Sequence, residues 1–243
     1  MSAPVVTVTI FRYQPRARFR AFANMGRVLM QPISADGLRF SKLMGSGINF
    51  GLIPDFSTYV HLGVWADNHR ASAFAQTEAY RQLAQGTEKI STLHLSPLKS
   101  HGLWDGFNPF ILNTGQGAEN PERAAADEHQ GKPERPAAPD PSAPVAVLTR
   151  ATIRTRALPD FWRHVPQARQ RLADQADKLL FGIGVGEVPL VQQCTISVWR
   201  DAAAVDQYAY RQSGHREVVR LTRQRQWYSE ELFARFTVLR WDR

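Results

Sequence analysis

Two stretches decide the fold: TYVHLGVWAD at residues 58–67 and CTISVWRD at residues 194–201. In both, apolar residues alternate with polar or small ones, the run closes on tryptophan, and aspartate follows two residues later. Alternation with period two marks a strand with one buried face. Val60, Leu62 and Val64 therefore point one way and His61, Gly63 and Trp65 the other; Ile196 and Val198 likewise oppose Thr195, Ser197 and Trp199. Each aspartate stands where a helix N-cap belongs, able to accept from the first free backbone N–H groups, with the tryptophan packed beneath.

Working outward from each stretch yields the same order twice. Strand-like runs open the units at 5–13 and 145–154. Helical patterns follow at 16–30 and 158–173, then short apolar segments running into glycines at 38–47 and 179–186. After the quoted strands come alanine-rich helices at 67–84 and 201–225, and closing strands at 90–98 and 232–241. This β-α-β-β-α-β order is the ferredoxin-like split unit. A single such sheet leaves one face uncovered, and a repeat at about 140 residues lets one chain supply both layers. The expected fold is α+β: two tandem ferredoxin-like halves, 1–114 and 145–243, packed sheet to sheet as a fused dimeric α/β barrel around a shared apolar chamber. Residues 115–144 lack aromatic and large aliphatic side chains, contain six prolines, and carry six acids against three bases; they read as a disordered linker.

The formal charge is +8, and because Lys42, Lys89, Lys99, Lys132 and Lys178 are the only lysines, 25 of the 30 cations are arginines. Such a surface suits an anionic membrane face or an acidic redox partner. Without a basic block, an RNA-binding signature, a helix-turn-helix or a zinc finger, nucleic acid is not an expected partner. No apolar run reaches the ~20 residues of a membrane-spanning helix and no signal peptide opens the chain, so the expectation is a cytoplasmic protein with peripheral contact at the inner membrane. The single cysteine, Cys194, excludes an internal disulfide or thiolate cluster and reads as a buried, inert thiol.

Several segments carry a family resemblance. In the second half they are TRATIR (149–154), Phe161–Trp162 with Val165–Pro166, FGIGVGEVPLVQQCTISVW (181–199) and WYSEELFARFTVL (227–239). In the first half they are LRFSKLMGSGINFG (38–51) and LSPLKSHGLWDGFNPF (95–110). Together these resemble the spheroidene monooxygenase family over nearly the whole chain except the linker. The resemblance implies an enzyme that uses haem b, O2 and a donor such as reduced ferredoxin. It would convert a methylene of an acyclic carotenoid to a ketone through two hydroxylations at one carbon and loss of water. The residues accord with this. Oxidising an unactivated C–H bond needs a cofactor. The run Gly182–Gly184–Gly186 has the wrong spacing for dinucleotide binding and reads as turn glycines, and paired helical histidines and a G-x-S-x-G elbow are both missing. A haem asks for only one protein ligand.

Of seven histidines, His129 lies in the linker, His69 at a helix start, and His101 and His164 in or near loops, leaving His61, His94 and His215. Analogy with haem-binding α/β barrels, whose proximal histidine comes from a helix over the sheet, favours His215; a satisfied core or capping histidine is the competing reading. Arg150, Arg154 and Arg235 are the expected propionate clamps. Trp65, Trp199, Phe161, Trp162, Trp227 and Phe233 are the aromatics expected to line a groove for the polyene, though they equally suit an ordinary core. The loop 104–110, WDGFNPF, reads as a lid, a membrane-dipping tip or a plug at the barrel end. Two other classes remain open at this stage: a non-catalytic barrel that binds an apolar ligand, and another small-molecule haem oxygenase or dehydratase on the same scaffold.

Overall fold

The computed structural model describes residues 4–50, 53–111, 140–208, 220–222 and 224–243. The first unit runs β1 (Val5–Tyr13), α1 (Arg18–Met30), β2 (Leu38–Gly47), β3 (Pro54–Trp65), α2 (Asn68–Ala73), α3 (Glu78–Ala84) and β4 (Thr87–Gly102). The second runs β5 (Val145–Ile153), α4 (Leu158–Ala173), β6 (Leu179–Gly186), β7 (Gln192–Trp199), α5 (Ala202–Asp206) and β8 (Tyr228–Asp242). The expected linker falls almost wholly outside the described residues, of which 140–144 lead into β5.

The strands form one closed antiparallel barrel in the order β1-β3-β2-β6-β7-β5-β8-β4. Each half contributes a sheet with its first strand between the third and the last, as the split unit requires. The halves join edge to edge at two unequal seams. One is long, with β4 from Thr92 to Gly102 running against β8 from Asp242 to Leu232; the other pairs only Gly45 with Gly186 and Ser46 with Val185. Closure leaves no free sheet edge. Both closing strands extend beyond 90–98 and 232–241: β4 gains Lys99–Gly102 against β8 at the long seam and Thr87–Lys89 against β1, and β8 gains Tyr228–Glu231 against β5. Pro97, which has no N–H to donate, sits where the β4–β8 register shifts.

The barrel interior is a packed core, not a chamber. Val6, Val8, Val60, Leu62 and Val64 of one half meet Ala146, Leu148, Ile196, Val198 and Phe236 of the other, with Trp104 and Phe110 inserted from the loop after β4. The WDGFNPF loop is thus a plug, although Phe107 stays exposed. Five charged groups lock it. Lys42 lies 2.5 Å from both Asp105 and Glu187, Trp104 donates to Glu187 at 2.8 Å, and Arg150 pairs with Glu230 and reaches Asp105 at 3.5 Å. Burial pushes the Lys42 ammonium down, but its two carboxylates outweigh that and hold its pKa above the ordinary lysine value. Because Lys42 and Asp105 come from the first half and Glu187, Arg150 and Glu230 from the second, the network fastens one half to the other. Cys194 lies in the same core, its thiol pKa raised by burial, so it is inert as expected.

Outside the barrel, the aspartates cap their helices: Asp67 accepts from the Arg70 N–H at 2.9 Å and Asp201 from the Ala204 N–H at 2.7 Å. Beneath them both indoles find a hydroxyl, by different routes. Trp65 Nε1 donates to Thr7 Oγ1 and Trp199 Nε1 to Ser197 Oγ, each at 2.9 Å. Thr7 pairs with Gly63, and Val147 with Ser197. The hydroxyl has therefore changed strands within the pair while the buried N–H keeps its acceptor.

The glycine run is not a turn. Gly182 and Gly184 lie inside β6 with Ile183 and Val185 facing the core. A Cβ on Gly184 would stand 2.9 Å from the Cα of Phe50, and one on Gly182 would stand 3.0 Å from the tip of its ring. Phe50, in the connection between β2 and β3, adopts a left-handed φ of 59° that a bulky residue takes only when its surroundings demand it. The bare strand is the seat for this side chain from the other half, beside the short seam.

Candidate functional site

The two units differ most on the outer faces of their sheets. In the first half α1 lies flat. Ala21, Met25 and Val28, at helical spacing, pack on Phe11, Tyr13, Leu43 and Tyr59. At the centre, Thr9 is 3% exposed and pairs with His61, itself fully buried and stacked on Phe74 with ring centroids 5.1 Å apart. That face is filled.

In the second half α4 touches the sheet through its ends. Phe161 joins Ile153 and Trp227, and Leu172 joins Val147 and Trp199; among the described residues none between them enters a core cluster. Thr149, which holds the place of Thr9, is exposed in the middle of a strand whose other residues are buried or nearly so. Its partner is Thr195, which replaces His61. Across five strands the outer face reads His101, Phe233, Thr149, Thr195, Gly184. The two threonines form an open floor. It is walled on one side by Phe233, stacked on His101 at 5.2 Å, and on the other by Phe50. Apolar side chains flanking a floor with a few polar groups are the kind of lining a ligand site uses.

The expected site residues are not brought to one place. Trp65 packs with Ala71 and Phe74 in the first half, while Trp199 lies under α5 with Ala204 and Val205. Phe161 meets Trp227 edge to face at 5.8 Å, and Trp162 donates to the Leu190 carbonyl at 3.1 Å. Of the six aromatics, Phe233 borders the open floor directly. The arginines separate as well. Arg150 is buried inside the barrel mouth, Arg154 donates to the Tyr228 carbonyl, and Arg235 lies on the outer face, paired with Asp206 at 2.7 Å. A shared clamp is geometrically excluded for Arg150 and Arg235, which occupy opposite sides of the sheet.

His215 lies outside the described residues. His61 bonds Ser41 through Nε2 at 2.9 Å, and full burial lowers its pKa to about 4, so it is a neutral core histidine. His94 stands beside Arg240 and Asp242 at the long seam, with its pKa lowered by burial and by the arginine. His101 and His164, expected near loops, belong to β4 and α4; His164 tilts against Trp227. Thr149, Thr195 and Phe50 were not singled out in the sequence. Aligning the two repeats reveals the His61-to-Thr195 exchange, but only the fold shows that nothing described covers it.

No family model matches the chain. A spheroidene monooxygenase from Rhodobacter capsulatus is 31% identical over 241 residues, covering 97% of this chain and 90% of that protein. One from Cereibacter sphaeroides is 31% identical over 239 residues, covering 96% and 66% respectively. Among solved structures, an aldoxime dehydratase in complex with butyraldoxime superposes with a TM-score of 0.52 at 12% identity, covering 97% of this chain and 79% of that one; at that identity it speaks for the fold alone. With the repeat and the closed barrel in place, the near full-length identity to the first of these relatives settles the matter: the chain belongs to the spheroidene monooxygenase family.

Proposed function

We propose that this monooxygenase acts on an acyclic carotenoid of the spheroidene type, converting a methylene to a ketone, and that haem b sits against the open outer face of the second half. The observation that carries the placement is the asymmetry between the halves: an exposed Thr149 beside half-buried Thr195 where the first half is filled by His61 and Phe74. A flat floor flanked by apolar side chains fits a porphyrin, and bound haem would supply the O2-derived oxidant that side chains lack.

The chain's own contributions follow from the geometry. The two threonines keep the floor low while offering hydroxyl groups, and Phe50 and the Phe233–His101 pair limit sideways movement and exclude water. Arg235, which shares this face, is the described cation best placed for a propionate, at the cost of its pairing with Asp206. His215, the residue that analogy with haem-binding α/β barrels favours, is the one that would hold the iron. Each hydroxylation would consume one O2, two protons and two electrons from a donor such as reduced ferredoxin, placing one oxygen atom in the C–H bond and releasing the other as water; loss of a further water from the doubly hydroxylated carbon leaves the ketone.

The test is spectroscopic first. Protein purified with haem, or titrated with it, should show a Soret band that His215→Ala weakens or shifts and Thr149→Phe suppresses. Expression in cells that accumulate spheroidene should then yield a ketocarotenoid. Protein that takes up no haem under any condition would overturn the cofactor assignment, and the absence of any oxidised carotenoid would overturn the substrate.

A further inference from the structure

Helix α1 has two apolar faces, and the fold uses one. Ala21, Met25 and Val28 pack on the sheet. On the outward side Phe19 is 84% exposed, Phe22 56%, Leu29 67% and Met30 84%. Relative to Phe19 these fall at i+3, i+10 and i+11, with Gly26 at i+7, so they share one arc of the helix away from the buried seam. Arg18 flanks that arc on one side and Arg20 and Arg27 on the other, all exposed, and Arg12 and Arg16 are exposed just before the helix. The first 35 residues contain no Asp or Glu. On neighbouring β3, Asp55 accepts from the Ser57 N–H and hydroxyl and also lies in the field of Arg18, which leaves Arg12, Arg16, Arg20 and Arg27 as the other exposed cations of this region.

The patch continues onto the connection between β2 and β3. Ile48 and Ile53 are exposed there, and Phe56, exposed at the start of β3, meets Phe22 edge to face at 5.8 Å. The same connection carries Phe50, the wall of the open floor. The apolar surface therefore runs from α1 to the edge of the candidate site.

We propose that α1, with Ile48, Ile53 and Phe56 beside it, forms a face that docks on an anionic lipid bilayer. Large apolar side chains flanked by arginines, with no acid on the helix itself, are the composition of an interfacial helix. A second copy of the chain fits poorly, since a two-fold contact would set these arginines against their own equivalents. The inference deepens the proposed function by showing where a bilayer-dissolved polyene would arrive. Docking itself needs neither haem nor turnover, so the two can fail separately.

The test is vesicle flotation of the full chain. Wild type should float with phosphatidylcholine vesicles containing about one-third phosphatidylglycerol, several-fold less with phosphatidylcholine alone, and less at high salt. Phe19→Ser with Phe22→Ser, and separately Arg20→Glu with Arg27→Glu, should each lower partitioning about tenfold or more while leaving the melting transition in place. Leu239→Ser, on exposed β8, should change nothing. The proposal is overturned if wild type ignores anionic vesicles, if either folded double variant partitions like wild type, or if the phenylalanine pair instead dissolves a dimer that binds no lipid.

Discussion

Thr9→Phe and Thr149→Phe put the same substitution at equivalent places in the two repeats, and the structure expects opposite consequences. Thr9 is 3% exposed, pairs with buried His61, and is bonded by Thr92 Oγ1 at 3.2 Å. A phenyl ring there overpacks the layer under Phe74, costing about 1–3 kcal/mol, and leaves the Thr92 hydroxyl without its partner, about 0.5–1.5 kcal/mol more. The total is about 1.5–4.5 kcal/mol, or about 3–18 °C in melting temperature for a chain of this size. Thr149 is exposed, and phenylalanine suits a strand, so Thr149→Phe should stay within about 0.5 kcal/mol of wild type, under about 2 °C. Thermal unfolding followed by circular dichroism reads both, and haem titration of the same samples reads function: Thr149→Phe should lose haem uptake while keeping its fold. Equal destabilisation by the two substitutions would refute the open floor and, with it, the placement of the site.

The exchanged hydroxyl and the buried histidine supply further expectations. Ser197→Gly should cost about 1–3 kcal/mol by orphaning the Trp199 N–H, and adding Val147→Thr, which recreates the Thr7–Gly63 arrangement, should recover at least half; a urea double-mutant cycle showing no coupling would discard the equivalence. His61 titrates at about 4 when folded against about 6.5 when unfolded. The unfolded chain therefore binds its proton first, stability is complete above about pH 6.5, and up to about 1.4 kcal/mol per unit is lost as pH falls towards about 4. His61→Leu should flatten that slope in stability measured against pH, and an unchanged slope would mean that another group controls it.

By itself the sequence determined the repeat, and with it the architecture. Period-two alternation, tryptophan over a capping aspartate, and recurrence about 140 residues apart are local signals that each half carries whole, so strand order and the inward faces of β3 and β7 were legible. The family was legible too, because several short segments in a fixed order carry the resemblance together although no single one is catalytic. What it could not convey is where empty space lies. Trp65, Trp199 and Trp227 look the same in a string whether they line a groove or cap a helix, and Gly182 and Gly184 look like a turn until Phe50 arrives from the other half to fill them. Whether Thr149 is covered depends on how closely α4 approaches the sheet. Packing of this kind is decided between residues far apart in the chain, so only the tertiary structure could move the proposed site from the barrel's interior to the outer face of its second half.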